Sequence, residues 1–296
     1  MAGVAERPRT GAPPGRPIPS AGLSAPVRLW RALTRNLVSF YAALAMLYLF
    51  LPVIVVFLFS FNDVEGRFNF TWVGFTLKAW SHPCAVAGIC PAMVTSLQIA
   101  VLATIGSTLL GTLLAFALVR HRFRGQDATN LFVFLPMATP EVVMGSSLLA
   151  LFLNLGVNTG FGTILVGHVL FNISFVVVTV KARLQGLDKG LEEAAMDLYA
   201  NEWQTFRKVT LPLVTPGIIA AALLAFALSF DDFIITNFNA GNTITFPMFV
   251  WGAAQRGLPP QINVMGALMF TVAVALGLGQ LVWSRRRLSA ARRAAG

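Results

Sequence analysis

Six long apolar runs divide most of this 296-residue chain, and they leave it few possible structures. The runs cover roughly residues 37–60, 93–119, 129–154, 162–182, 215–237 and 262–284. About 20 apolar residues in a helix cross the hydrocarbon core of a bilayer, where every backbone polar group must bond internally. A content of 56% hydrophobic and 11% charged residues is also far from that of a soluble domain. We therefore predict an all-α polytopic membrane protein with six transmembrane helices.

The positively charged residues lie mostly on one side of the predicted membrane. Of the 22 Lys and Arg residues, 19 fall in the two terminal segments and in the links 120–128 and 181–210. Because cytoplasmic loops are enriched in Lys and Arg, both termini and these two links are predicted to be cytoplasmic. The net charge of +10 then serves orientation and attraction to an anionic lipid bilayer, and we expect no nucleic-acid partner.

The apolar runs also set the predicted domain limits. Residues 1–36 form a basic tail whose first 26 residues contain six prolines and no apolar periodicity, which is typical of disorder. The first apolar run is too long for a signal peptide. Residues 37–284 form the six-helix transmembrane domain, and residues 285–296 form a second basic tail.

A polar, charge-dense stretch lies between the fourth and fifth runs. Within residues 190–212, apolar residues recur at helical spacing at Ala195, Leu198, Trp203, Phe206 and Val209, which predicts one or two amphipathic helices. Asn201, with Gln204 three residues later, forms a capping-box pattern that starts the second of them. Pro212 is predicted to end it, and Thr215 with Pro216 to open the fifth span.

The spacing of this stretch resembles the cytoplasmic signature of permease subunits of bacterial ABC importers, E-A-A-x-x-x-G-x9-I-x-L-P. Six spans with the signature between the fourth and fifth also agree with that family. The resemblance implies the fold of a type I importer permease in the bacterial cytoplasmic membrane. It also implies ATPase-coupling residues at Glu193, Ala194, Ala195, Asp197, Leu198, Tyr199, Phe206, Val209, Leu211 and Pro212. We call residues 190–212 the coupling segment.

The same resemblance implies partner proteins. They are a second permease subunit, identical or related, two ATP-binding cassette subunits that receive the coupling segment, and an extracytoplasmic substrate-binding protein. The chain has no glycine-rich phosphate loop with Lys and Ser or Thr, so we expect no enzyme activity here and ATP hydrolysis in a separate subunit. No cofactor and no metal site are predicted.

Tyr199 occupies the position where the family signature has glycine. Glycine permits a left-handed turn, and tyrosine in that conformation would cost about 1 kcal/mol or more. We therefore expect a reshaped turn, with Tyr199 making a packing contact instead.

Three acidic residues lie inside predicted spans: Glu141, Asp231 and Asp232. No Lys or Arg lies within a span to pair with them, and intramembrane carboxylates are costly and usually functional. A partner subunit, a proton or a cationic substrate would supply the counter-charge.

Glu141 follows Thr139 and Pro140, where we expect the helix to break and Thr139 to cap a new half-helix. Stabilisation at that helix start is the alternative to a role of Glu141 in the substrate pathway. Neighbouring residues point about 100° apart on a helix, so only one of the two aspartates is expected to face a pore.

The sequence around these acids resembles the spermidine/putrescine branch of the permease family, in the segments PEVVMGSSLL and LSFDDFIITNF. The implied substrate is a polyamine, a flexible polycation that unpaired acids and aromatic faces would accommodate. Ferric iron, thiamine, an anion or a cationic amino acid is an alternative substrate. An ion-coupled secondary transporter that uses the buried acids is the alternative outside the family, and it predicts internal inverted repeats that we do not see.

Cys84 and Cys90 lie in the first outer loop. An extracytoplasmic setting permits a disulfide between them, but spacing alone does not decide whether they are bridged. His168, inside the fourth span near Asn172, is interpreted as a hydrogen-bonded packing residue rather than a proton relay.

Overall fold

The computed structural model describes residues 25–64, 66, 68–188 and 190–294, and in these ranges it contains helices and one isolated β-bridge. The helices are α1 (Ala25–Phe59), α2 (Lys78–Ser81), α3 (Ile89–Arg120), α4 (Gln126–Ala138), α5 (Glu141–Asn154), α6 (Phe161–Gln185), α7 (Gly190–Asp197), α8 (Glu202–Thr205), a π-helical turn (Phe206–Thr210), α9 (Leu211–Asp231), α10 (Ile234–Asn239), α11 (Phe246–Arg256) and α12 (Pro260–Ala294). The predicted all-α class is confirmed.

The described residues form two compact units, one that ends at Val55 and one that begins at Val56. The first contains most of α1, which begins at Ala25, inside the predicted 1–36 tail. The predicted disorder of residues 1–24 lies outside the described residues. In the second unit α12 continues to Ala294, into the predicted 285–296 tail.

The core of the second unit is formed by α3, α6 and α9, which pack against one another. Its fully buried side chains include Val176, Val180 and Val214. Gly111 of α3 allows the close approach, because a Cβ there would lie 2.7 Å from Val176 Cγ1 of α6. Small residues at such crossings are typical of helix packing in membranes, where van der Waals contact drives association.

Five helices in the described residues are long and apolar enough to span a membrane, and a sixth span results if one bent pair is counted. That pair is α4 and α5, which meet at an angle of 107° where the sequence predicts the third span. The predicted break is therefore present, but Thr139 does not cap α5. Its hydroxyl donates to Leu135 O of α4 at 2.8 Å, and Pro140 stands at the N-cap of α5.

The fifth span differs from its prediction at both ends. Residues 202–231 form one continuous 30-residue helix, so neither Pro212 nor Pro216 interrupts it. The π-helical turn lies just before Pro212, where Leu211 N donates to Phe206 O five residues back, and Pro212 then falls in the first turn of α9. The Thr215 hydroxyl donates to Leu211 O at 2.6 Å inside the helix instead of starting it. Side-chain bonds and neighbouring helices make prolines tolerable in membrane helices.

The loop from residue 60 to residue 88 leads into the first residue of α3, whereas the coupling segment lies by the last residue of α3. Because α3 has 32 residues and so spans about 48 Å, the two lie at opposite ends of this helix. We call the first of them the 60–88 loop. The fully buried Asn62 organises it: its Nδ2 donates to Asn69 Oδ1 and Thr71 O, both at 2.7 Å. Its Oδ1 accepts from Val73 N at 2.8 Å and Gly74 N at 3.3 Å. Cys84 and Cys90 are joined by a disulfide at the start of α3.

Candidate functional site

The coupling segment consists of α7, a tight turn and α8 followed by the π-helical turn. The capping box that starts α8 is confirmed, because Gln204 N donates to Asn201 Oδ1 at 2.8 Å and Asn201 N donates to Gln204 Oε1 at 3.1 Å. Phe206 stacks on Trp203 at 5.6 Å between ring centroids and packs edge-on against Phe116 of α3 at 5.4 Å. These aromatic contacts hold α8 against the end of α3.

Tyr199 ends the turn after α7 in a left-handed conformation, with φ at 63°. The turn is a Schellman cap: Ala200 N donates to Ala195 O at 3.1 Å, and Tyr199 N donates to Met196 O at 2.9 Å. These two bonds satisfy carbonyl groups at the end of α7, so tyrosine adopts the conformation that glycine favours. The expected reshaping of the turn is therefore wrong, and so is the expected packing contact, because Tyr199 is 98% exposed.

The predicted coupling residues divide into an exposed and a partly covered set. Glu193, Ala194, Asp197, Leu198, Tyr199 and Pro212 are exposed, whereas Ala195, Phe206, Val209 and Leu211 are half-buried. Leu198, at 82% exposed, and Tyr199 place two large apolar side chains side by side at the tip of the segment. A surface of this kind is typical of a site that another protein covers.

Three residues outside the predicted set, Arg120, Glu192 and Thr210, hold the segment in place. The Glu192 carboxylate at the start of α7 accepts hydrogen bonds from Arg120 Nη2 of α3 and from Thr210 Oγ1 of the π-helical turn. Sequence spacing gives no signal for this contact, because Arg120 lies 72 residues from Glu192.

The intramembrane acids lie at two helix breaks that the fold brings together. Glu141 is the first residue of α5, after the α4–α5 break, while Asp231 ends α9 and Asp232 lies between α9 and α10. The helices α5 and α10 pack against each other, and Asn239 Nδ2 donates to Gly145 O at 3.3 Å.

Asp232 is held inside the protein. Its side chain is 5% exposed, its Oδ1 accepts from Thr236 N at 2.9 Å, and it lies 3.4 Å from His168 Nε2. His168 is also hydrogen-bonded to Ser229 Oγ at 2.7 Å and Thr236 Oγ1 at 2.9 Å. The histidine is thus a buried, hydrogen-bonded residue whose partners lie on α9 and α10.

Glu141 and Asp231, in contrast, are exposed residues. Among the described side chains, neither forms an ion pair with a Lys, Arg or His. Next to the break, Phe233 packs on Trp251 of α11 with ring centroids 5.3 Å apart. Asp231 thus stands two residues before an aromatic pair, and among the described side chains it and Glu141 have no ion-pair partner.

Residues 107–290 match the model of a protein family described as "Binding-protein-dependent transport system inner membrane component". The match covers the core helices α6 and α9, the coupling segment and both helix breaks. The chain belongs to this family. It is a permease of the type I ABC importer fold, and the predicted fold and family are confirmed.

Related permeases from bacteria are similar over most of their length. The chain is 36% identical over 239 residues to the spermidine/putrescine transport system permease protein PotC of Escherichia coli (strain K12), covering 80% of this chain and 90% of that protein. It is 34% identical over 242 residues to the putrescine transport system permease protein PotI of the same organism, covering 79% and 85%.

Solved structures share the fold of this permease. A bacterial ABC transporter involved in the import of the acidic polysaccharide alginate matches with a TM-score of 0.59 at 18% identity, covering 90% of this chain and 99% of that one. A second structure of an alginate transporter, in complex with an alginate pentasaccharide-bound periplasmic protein, matches with a TM-score of 0.57 at 17% identity, covering 84% and 93%.

Proposed function

We propose that this permease forms half of a pathway that imports polyamines such as spermidine and putrescine. The observation that carries the proposal is the position of two exposed carboxylates, Glu141 and Asp231, at helix breaks next to the packed helices α5 and α10, without an ion-pair partner among the described side chains. Intramembrane charges that remain unpaired mark ion and substrate pathways. A polycation supplies the missing counter-charge.

The chemistry around the two carboxylates fits an extended, flexible cation. Separate acids can each meet one amine of a polyamine, so the substrate need not be held at a single point. The Phe233–Trp251 pair beside the second break offers ring faces to which an ammonium group is attracted. Two permeases that are named for spermidine and putrescine transport, at 36% and 34% identity, support this substrate class.

We propose further that the coupling segment docks on a separate ATP-binding cassette subunit in the cytoplasm. Its exposed tip, Leu198 and Tyr199, and the exposed Glu193 support a partner surface on that side. Nineteen of the 22 Lys and Arg residues lie on the same side as this segment by the chain order, which favours the cytoplasmic orientation of both termini. A second permease, a second ATPase subunit and an extracytoplasmic binding protein complete the importer.

Uptake by charge-neutralised variants tests the substrate pathway. In proteoliposomes that contain this chain, its partner subunits and the binding protein, Glu141→Gln and Asp231→Asn should each reduce labelled spermidine or putrescine uptake about tenfold or more, since each removes a charge-assisted contact. Asp127→Asn, which neutralises an exposed acid at the start of α4, is the matched control and should transport normally. Wild-type uptake in both pathway variants would contradict the assignment.

Substrate stimulation of ATP hydrolysis separates the alternatives. Polyamine-loaded binding protein should stimulate ATP hydrolysis by the assembled complex, whereas ferric iron, thiamine, an anion or a cationic amino acid should not. Stimulation by one of these compounds instead would support the importer function and assign a different substrate to it. Uptake that persists without ATP would favour an ion-coupled transporter.

A further inference from the structure

A polar contact at the end of α3 joins three elements that are distant in sequence. Glu192 of α7 accepts from Arg120 Nη2 at the last residue of α3. The same carboxylate oxygen accepts from Thr210 Oγ1 at 2.6 Å, at the last residue of the π-helical turn that continues into α9. We call Arg120, Glu192 and Thr210 the Glu192 clasp.

The ion pair of the clasp is more shielded from water than the Lys78–Asp63 ion pair. The side chains of Arg120 and Glu192 are 22% and 21% exposed, and Thr210 is buried. The Lys78–Asp63 pair of the 60–88 loop, in comparison, is 77% and 48% exposed. Partly buried charges are screened less by solvent and salt. Both charges of the clasp also lie at the helix ends that favour them, a cation at the C-terminus of α3 and a carboxylate in the first turn of α7.

Apart from the clasp, α7 packs against α8 and the π-helical turn. No residue of α7 is buried. A cavity of about 410 Å³ lies beside it, lined by Phe116, Met196 and Thr205 together with the clasp residues. The apolar contacts of the coupling segment come instead from Phe206, at the start of the π-helical turn. Among the described residues, the clasp therefore supplies the side-chain hydrogen bonds that join α7 to α3 and to the π-helical turn that leads into α9.

We propose that Arg120, Glu192 and Thr210 are positioning residues that transmit movement of α7 to α3 and α9 together. Both of these helices pack on α6, so a displacement passed to the pair moves the core as a unit. The clasp residue Thr210 belongs to the π-helical turn, and irregular turns of this kind occur often at functional sites. The inference deepens the coupling function proposed above and rests on it.

Transport per ATP hydrolysed tests the clasp in the assembled transporter. Glu192→Gln and Arg120→Gln should lower this ratio about tenfold, because each breaks a charge-assisted hydrogen bond, and Thr210→Val should lower it less. The ATPase subunits should stay bound, since the exposed tip is unchanged. The reversed pair R120E with E192R should recover part of the ratio, because the Thr210 hydroxyl can donate to a carboxylate or accept from a guanidinium.

The controls separate positioning from stability. Lys78→Gln with Asp63→Asn removes the exposed ion pair of the 60–88 loop and should leave transport per ATP unchanged. A residue that only stabilises the fold would reduce the amount of assembled complex without changing the ratio. That result, or a wild-type ratio in Glu192→Gln and Arg120→Gln, would overturn the proposal.

A spectroscopic measurement tests the clasp independently of the transported substrate. The chain has two cysteines, and they are bonded to each other. Spin labels on His121→Cys and Met196→Cys, in the full chain in nanodiscs, therefore report the distance between the end of α3 and α7. Glu192→Gln should broaden that distance distribution, and an unchanged distribution would contradict the proposal. If Glu192→Gln broadens the distribution but the wild-type transporter does not import polyamines, the clasp proposal is supported and the substrate assignment is refuted.

Discussion

The two ends of α3 carry surfaces that are built in opposite ways. The 60–88 loop is held by a disulfide, by four hydrogen bonds of the buried Asn62 and by Phe61, which stacks on Phe75 and Trp80. The coupling segment has no buried residue in α7 and exposes Leu198 and Tyr199 at its tip. One surface is fixed within its own chain by a covalent bond and by the hydrogen bonds of a buried side chain, although Phe70, Trp72 and Phe75 of the loop are exposed. The other lacks a disulfide and a buried α7 side chain, and its tip is the surface that we propose the ATPase subunit covers.

Asn62→Ala should have the largest effect on stability, because it removes the side-chain hydrogen bonds that organise the 60–88 loop. The substitution leaves the N–H groups of Val73 and Gly74 and the Asn69 carbonyl oxygen without their partner. We expect a loss of about 3 kcal/mol, measured as a lower midpoint of thermal unfolding in detergent. Binding of the ATPase subunit at the other end should not change. Equal loss of both properties would contradict the division between the two ends.

Leu198→Asp should have the reverse pattern. The side chain is 82% exposed, so the unfolding midpoint should remain at the wild-type value. Affinity for the ATPase subunit should fall about tenfold or more, because a charge would be desolvated at a covered apolar contact. Co-purification and titration of the ATPase subunit measure the change. Glu202→Gln alters an exposed residue of α8 in the same coupling segment and is the control. An exposed apolar residue such as Leu131 is not suitable as a control, because it lies in a membrane helix.

Tyr199→Gly should have the smallest effect, and it should be stabilising. Glycine adopts a φ of 63° without the steric cost that tyrosine bears, so the unfolding free energy should rise by about 1 kcal/mol or less. Tyr199→Ala removes the ring but keeps the strained conformation, and it should not stabilise the chain. If both variants also weaken ATPase binding, the ring itself takes part in docking. Stabilisation by alanine as much as by glycine would refute the strain.

The features that sequence predicted well are local or periodic. Apolar length predicted the spans, the apolar spacing within residues 190–212 predicted short helices, and the capping box of Asn201 and Gln204 formed as expected. Each depends on residues within one helix or one turn. The break before Glu141 was also predictable, because proline restricts the residue before it.

The features that sequence reasoning missed depend on distant contacts or competing local bonds. Pro212 and Pro216 do not end a helix, since the π-helical turn and side-chain hydrogen bonds accommodate them. Tyr199 keeps the left-handed turn because the Schellman bonds outweigh its steric cost. Which aspartate is buried depends on His168, 64 residues before Asp232 in the chain, and no local pattern could reveal it.

The π-helical turn has a consequence for the rotational phase of the fifth span. A π turn holds one residue more than an α-helical turn, and one residue corresponds to about 100° around the helix axis. The side chains before Phe206 are therefore rotated relative to the position that a regular helix continuous with α9 would give them. Deleting a single residue from 206–210 would restore the regular helix and turn Trp203 to a different side, with the composition of both flanking helices unchanged. The direction in which the coupling segment faces thus depends on the number of residues in the π-helical turn as much as on their types.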